Sequence, residues 1–285
     1  MKIAFTKMHG IGNDYIYVNC MDGEWDNYKE LAIAMSPRRF SVGSDGLIAI
    51  CPSAVADAKM RMFNLDGSEG KMCGNGIRCV GKYLYDNGLV DKTTITVETL
   101  SGIKTLKLFA QKGKVQTVSV NMGTAELAPR KIPILADGER FVNEPYAVGD
   151  KEYHLTCVSM GNPHAVVFVD DTESLPLQNI GPQFEYAPLF PEQVNTEFIK
   201  VLGPQLLQMR VWERGSGETY ACGTGACAAA VAAILNGYCA FDTPITVKLV
   251  GGDLTIQCTP DFKVTMTGSA TKAYEGVYEY EDSAE

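Results

Sequence analysis

MCGNGIRCVGKYLYDNG, Met72 to Gly88, returns later in the chain as ACGTGACAAAVAAILNG, Ala221 to Gly237. Each copy opens Cys-Gly-x-Gly, runs through about a dozen residues that read as a helix, and stops at Asn-Gly. Glycine one position past a helix end tolerates the left-handed conformation, so Asn-Gly terminates a helix. The pattern therefore predicts two matching helices, each headed by a cysteine. Glycines beside each cysteine leave backbone N–H groups open to an anion, and the helix dipole favours negative charge there, a thiolate included.

The rest of the chain repeats in step. A shift of 149 residues sets Gly12-Asn13 on Gly161-Asn162, Met60 to Phe63 on Met209 to Trp212, Cys73-Gly74 on Cys222-Gly223, and Asn87-Gly88 on Asn236-Gly237. Such self-similarity marks a duplicated unit. Each half reads as a strand (Ile3 to Thr6; Tyr153 to Val158), a Gly-Asn turn and a second strand (Tyr15 to Asn19; Ala165 to Val169). A variable middle, a Met-Arg-x-aromatic strand, a Gly-Ser loop, the Cys-headed helix and a β-rich tail complete it. ACAAAVAAIL is apolar all round, which predicts a helix buried on every side by a curved sheet. The first helix carries Arg78, Lys82 and Asp86 at fourfold spacing and reads as less enclosed. Between the halves, Pro129, Pro133, Gly138 and Pro145 give a linker composition, with a short strand expected at Lys131 to Leu135.

The fold expected is α+β: two homologous domains related by a pseudo-twofold axis, each a curved mixed β-sheet or barrel around a central helix, with the active site in the cleft between them. The domains expected are residues 1–122 and 123–267, with 268–285 returning to the first half as an edge strand. A chain of 285 residues with 46% hydrophobic and 21% charged residues is long and apolar enough for two such cores. A formal net charge of -9 argues against nucleic acid or an anionic membrane as partner. The N-terminus lacks the apolar core of a signal peptide, and Ala226 to Leu235 is too short to span a bilayer, so a cytoplasmic location is expected. Nine cysteines without scaffold spacing suit a reducing compartment, where most are packing residues. That reading covers Cys20, Cys51, Cys157, Cys239 and Cys258, and also Cys79 and Cys227 on the helix interiors.

Cys73 and Cys222 stand apart. Two thiols on opposite sides of one carbon could take a proton from one face and return one to the other, which is racemisation or epimerisation. A helix N-terminus brings a thiol's pKa down towards neutrality, so thiol and thiolate are both accessible, and two such groups titrate jointly. The N–H groups of Gly74-Asn75 and Gly223-Thr224 suit an α-carboxylate. No dinucleotide or P-loop fingerprint occurs, no lysine is marked as a Schiff-base partner, and no metal site is expected.

Five stretches carry a family resemblance: KMHGIGNDY at Lys7 to Tyr15, FNLDGSEGKMCGNGIRC at Phe63 to Cys79, GNPH at Gly161 to His164, VNTEFI at Val194 to Ile199, and ERGSGETYACGTGACA at Glu213 to Ala228. Their order and content resemble diaminopimelate epimerase. The resemblance implies a homodimeric isomerase without cofactor, neither pyridoxal phosphate nor metal, that interconverts LL- and meso-2,6-diaminopimelate for lysine and peptidoglycan synthesis. It implies Cys73 and Cys222 as acid/base thiols assisted by His164 and Glu213. Asn13, Asn64, Asn162, Asn195, Glu213 and Arg214 would line the substrate pocket with the Gly74, Asn75, Gly223 and Thr224 backbone. Arg214 would grip the distal carboxylate in a fork, and Asn and Glu oxygens would accept from ammonium groups. Gly46 departs from the glutamine that many members carry there, and Tyr274 falls where the family has a dimer-interface tyrosine.

Plainer readings stand beside these. Asn13 and Asn162 suit turns after glycine, Glu213 and Arg214 suit a solvated ion pair, and His9 and His154 read as structural. A racemase of proline or hydroxyproline would share the two-thiol chemistry without needing Arg214. A metal-binding or thiol-redox protein using Cys73, Cys79, Cys222 and Cys227 lacks both zinc spacing and a C-x-x-C pair.

Overall fold

Residues 1–280 are described by the computed structural model, and the chain divides into two units: Met1–Val120 with the residues from Gly268 on, and Asn121–Thr267.

The first unit runs β1 (Lys2–Gly10), β2 (Asn13–Asn19), α1 (Tyr28–Met35), β3 (Gly46–Cys51), β4 (Ala58–Asn64), β5 (Glu69–Gly70), α2 (Gly74–Asp86), β6 (Thr94–Thr99), β7 (Gly102–Gln111) and β8 (Lys114–Thr124). Strand β1 pairs antiparallel with β2, β2 parallel with β3, β3 antiparallel with β4, and β4 parallel with β6. Antiparallel β6, β7 and β8 complete the series.

The second unit runs β9 (Glu144–Val148), β10 (Lys151–Ser159), β11 (Pro163–Phe168), α3 (Leu177–Glu185), β12 (Asn195–Gly203), β13 (Leu206–Glu213), β14 (Gly217–Glu218), α4 (Gly223–Leu235), β15 (Ile245–Leu249), β16 (Gly252–Cys258) and β17 (Lys263–Ser269). From β10 onward its pairing senses repeat those of the first unit: antiparallel, parallel, antiparallel, parallel, then antiparallel twice. One connection differs. Strand β9 lies beside β10, directly before it in sequence, whereas the matching place beside β1 is taken by the last strand, β18 (Thr271–Glu279).

Each unit has its own core. Ile16, Val18, Leu31, Met35, Leu47 and Phe63 anchor the first, and Leu155, Val167, Phe184, Phe198 and Trp212 the second. Helix α4 behaves as its composition predicts: every residue from Gly225 to Ile234 is buried, and strands β10 to β13, β15 and β16 all pack on it. Alanine suits this place because it has the highest helix propensity and lets strands approach closely. Both helices end as read, with Asn87 and Asn236 as caps and Gly88 and Gly237 at φ +71° and +78°.

Two expectations are corrected. No strand forms at Lys131 to Leu135; a 3-10 turn covers Pro129–Lys131, Pro133 removes a ladder donor from the stretch, and the strand comes later as β9. Helix α2 is less enclosed than α4, as read, with Lys82, Tyr83, Tyr85 and Asp86 partly exposed, yet Arg78 on it is fully buried. The guanidinium tolerates this because it donates to Ser269 O, Gly74 O and Asn75 Oδ1. Cys239 is half-buried, while Cys20, Cys51, Cys79, Cys157, Cys227 and Cys258 are buried, and all nine thiols are free.

Candidate active site

In each unit the repeated cysteine is the cap residue of its helix, and its sulfur accepts a backbone N–H from the first turn: Gly76 N to Cys73 Sγ at 3.3 Å, Gly225 N to Cys222 Sγ at 3.4 Å. The extended backbone at the cap turns the side chain back over the turn, as for a serine cap. An N–H donor and the positive end of the helix dipole both favour a thiolate.

Around Cys73, the thiol donates to Asn13 Oδ1 at 3.2 Å, and the Asn13 amide is held by Nδ2 donating to Asp45 Oδ2 at 2.8 Å. Burial pushes the Cys73 thiol up. The N–H groups of Gly76 and Asn75, the Tyr15 hydroxyl and the Arg78 charge pull against that. Tyr15 is itself buried, and burial pushes its phenol well up. Asn64 lies aside, donating to Ser68 Oγ in the hairpin loop. At Gly46 a β-carbon would stand 2.1 Å from the Phe63 carbonyl oxygen, so no larger side chain fits this backbone.

Around Cys222 a connected chain of polar groups forms. Glu213 accepts from Thr219 Oγ1 at 2.5 Å, and its charge acts on the Cys222 thiol. On the other side Thr224 Oγ1 lies 3.6 Å from Cys222 Sγ and takes Asn162 Nδ2 at 3.4 Å. Asn162 Oδ1 meets His164 Nε2 at 3.1 Å, and His164 Nδ1 meets Glu197 Oε1 at 2.7 Å. Burial pushes Cys222 well up, and the carboxylates of Glu213 and Glu197 push the same way. Two expected members stand outside this chain. Asn195 is spent on the backbone, donating to Pro163 O and accepting from Arg214 N, and the Arg214 guanidinium donates to Glu192 O at the surface.

The match to known proteins decides the family. The model of the family described as diaminopimelate epimerase matches residues 5–128 and 156–273. The chain is 55% identical over 275 residues to a diaminopimelate epimerase of Acetivibrio thermocellus, covering 96% of this chain and 98% of that one. It is 51% identical over 275 residues to one of Methanococcus maripaludis, covering 96% and 99%. The chain belongs to the diaminopimelate epimerase family.

Solved structures share the fold of this diaminopimelate epimerase family member at low identity. A probable proline racemase of Agrobacterium radiobacter K84 matches with a TM-score of 0.72 at 14% identity, covering 98% of this chain and 93% of that one. A phenazine biosynthesis protein of the PhzF family from Bacillus anthracis matches at 0.71 and 16%, covering 98% and 100%. Two residues beside the thiols escaped the sequence reading. Tyr15 was marked by the repeat itself, since 149 residues on stands His164. Glu197 had no such mark: it is an acidic residue wholly buried in β12, where Asn195 to Ile199 are buried without alternation. Among the described residues no helix is long and apolar enough to cross a membrane, and no three His, Cys, Asp or Glu side chains gather as metal ligands.

Burial pushes the Glu213 carboxyl above its ordinary value of 4.5, against hydrogen bonds from Thr219 and Cys222. The folded chain therefore holds that proton more tightly than the unfolded chain. The resulting stabilisation is whole below 4.5 and is lost as pH rises through the folded value. In urea unfolding, wild type should accordingly lose stability relative to Glu213→Gln as pH is raised from below 4.5 to neutrality. A difference independent of pH would contradict the buried carboxyl.

Proposed function

We propose that this protein interconverts LL- and meso-2,6-diaminopimelate by proton transfer at one α-carbon, with Cys73 and Cys222 as the acid/base pair. What supports the reading is the doubled, N–H-capped thiol in a family named for this reaction. One cysteine enters as thiolate and takes the α-proton; the electron pair left behind delocalises into the carboxylate, and the other cysteine, as thiol, delivers its proton to the opposite face. Turnover exchanges the two protonation states. Backbone N–H groups at a helix start stabilise the charge that builds on the substrate carboxylate. Glu213, whose charge acts on the Cys222 thiol, and His164, three contacts along through Asn162 and Thr224, assist proton movement there. Asn13 orients Cys73. Arg214, with one Nη on a backbone carbonyl and the rest of its fork at the surface, suits a distal carboxylate. The remaining sequence-derived parts of the reading are that no cofactor takes part, that the protein is cytoplasmic, and that it is a homodimer with half-exposed Tyr274 at the interface.

The test is direct. Purified protein given LL-diaminopimelate in deuterated water should yield the meso form with deuterium at the inverted carbon, and should leave proline unchanged. Meso product without solvent deuterium, or turnover of proline in place of diaminopimelate, would overturn the reading.

A further inference from the structure

Glu213 and Arg214 sit side by side at the end of β13, and a side chain from another element holds the chain on either side of them. Glu185, the last residue of α3, is buried at 3% exposure. Its Oε2 accepts from Trp212 Nε1 at 2.7 Å, and its Oε1 accepts from Gly215 N at 2.8 Å. Trp212 directly precedes Glu213, and Gly215 directly follows Arg214. An indole N–H and a backbone N–H only donate, so both bond directions are fixed by the donors. One carboxyl group therefore brackets the pair.

The indole is itself seated. A β-carbon at Gly181, four residues before Glu185 and so on the same face of α3, would stand 2.2 Å from Trp212 Cδ2. The ring thus lies against bare helix backbone with its N–H reaching Glu185. The turn that follows needs such support: Arg214, Gly215 and Ser216 are exposed, and Gly215 takes a φ of +75°. A second anchor lies on β12, where Asn195 Oδ1 accepts from Arg214 N at 3.0 Å.

The matching hairpin of the first unit is closed differently. It pairs in the same register, Phe63 with Glu69 as Trp212 with Glu218. There a phenyl ring without an N–H stands in place of the indole, and α1 ends at Met35 with Ser36 as its cap. That hairpin closes on its own side chains, Asn64 Nδ2 donating to Ser68 Oγ and Ser68 N to Asp66 Oδ1. The copy tethered by a buried acid is the one that carries Glu213 and Arg214. Burying an acidic side chain costs stability that an apolar residue at the same place would not. What this one secures is the place of the turn.

We propose that Glu185 is a positioning residue for the reaction: by holding Trp212 and Gly215 it fixes where Glu213 and Arg214 present their side chains. The proposal rests on the reading of those two as residues of the substrate site.

Glu185→Gln is the decisive variant, because a carboxamide keeps the shape but accepts from only one of the two N–H groups and turns its own N–H on the other. In full-length protein, amide hydrogen exchange at Gly215 should quicken about tenfold or more, with no change in the matching hairpin, residues 64–68. KM for LL-diaminopimelate should rise about tenfold, and kcat should fall less, because the exposed Arg214 side of the turn is freed while Trp212 stays seated on Gly181. With Arg214→Ala already present, adding Glu185→Gln should raise KM no further. A residue that merely held the fold would lower the melting temperature and leave both KM and exchange at Gly215 alone. Unchanged exchange at Gly215, an unchanged KM, or KM effects that multiply with those of Arg214→Ala each overturn the proposal. Should Glu185→Gln not fold, Trp212→Phe, which removes the indole bond alone, decides by the same readings. Faster exchange at Gly215 with KM raised about threefold then upholds the tether, and wild-type values overturn it. If Arg214→Ala leaves KM as it was, or the wild type has no epimerase activity, the site reading fails, and exchange at Gly215 still decides whether Glu185 holds the turn.

Discussion

Cys73→Ala and Cys222→Ala should each reduce epimerisation by about a thousandfold or more, since each removes a group without which one of the two proton transfers has no partner. The double variant should be scarcely worse than either single one, because the two thiols act as a unit and their losses do not add. The comparison is made on initial rates with LL-diaminopimelate, with circular dichroism to verify folding. Full activity in either single variant would rule out the two-base scheme. The two thiols should also be distinguishable in the free enzyme. Both are pushed up by burial, but Cys73 has two N–H groups, Tyr15 and the Arg78 charge pulling it back, whereas Cys222 faces the carboxylates of Glu213 and Glu197. Alkylation by iodoacetamide, followed by peptide mapping, should therefore modify Cys73 at a lower pH than Cys222. The reverse order would mean that the local charges do not govern these sulfurs.

Arg78→Leu should be the most destabilising single change near either thiol. The guanidinium is fully buried and donates to Ser269 O at 3.1 Å, Gly74 O at 3.2 Å and Asn75 Oδ1 at 2.8 Å. Leucine fills much of the volume but strips those acceptors of a donor, and each buried acceptor so stranded costs about 1–3 kcal/mol. A total near 3 kcal/mol would lower Tm by about 6–12 °C for a chain of this size. Arg78→Lys should recover only part, because an ammonium is a point charge and cannot reach three acceptors set around a planar fork. The change should also reach the chemistry: without the Arg78 charge the Cys73 thiol rises, so its alkylation should move to higher pH while that of Cys222 stays. A melting temperature within a degree or two of wild type would show that the buried guanidinium contributes no net stability.

Much of this molecule was legible before any coordinate. The repeat at 149 residues stated the duplication, and Cys-Gly-x-Gly with Asn-Gly set the bounds of α2 and α4, because caps and stops depend on local backbone preferences. The β-rich tail expected after each Cys-headed helix is there as β6 to β8 and β15 to β17. The uniform apolarity of α4 announced a helix enclosed by strands. Pro133, in the middle of the expected strand at Lys131 to Leu135, was in plain view, and its missing N–H weighs more than the apolar residues around it.

Other features were set only by long-range packing. A stripe of Arg78, Lys82 and Asp86 at helical spacing reads as a less enclosed face, and nothing local reveals that carbonyls from Gly74 and the distant Ser269 are arranged to receive the arginine. The pairing of β18 with β1 joins residues about 270 positions apart, so no window of sequence contains it. His164 was named from a four-residue stretch, yet its partner Glu197 becomes its neighbour only through the parallel pairing of β11 with β12, where His164 stands opposite Asn195. Sequence by itself determined which residue types cap each helix, because that choice is made within one turn. Tertiary structure alone decided which charges surround each sulfur, because electrostatic neighbours are brought in by strands remote along the chain, and those charges make two matching thiols chemically unequal.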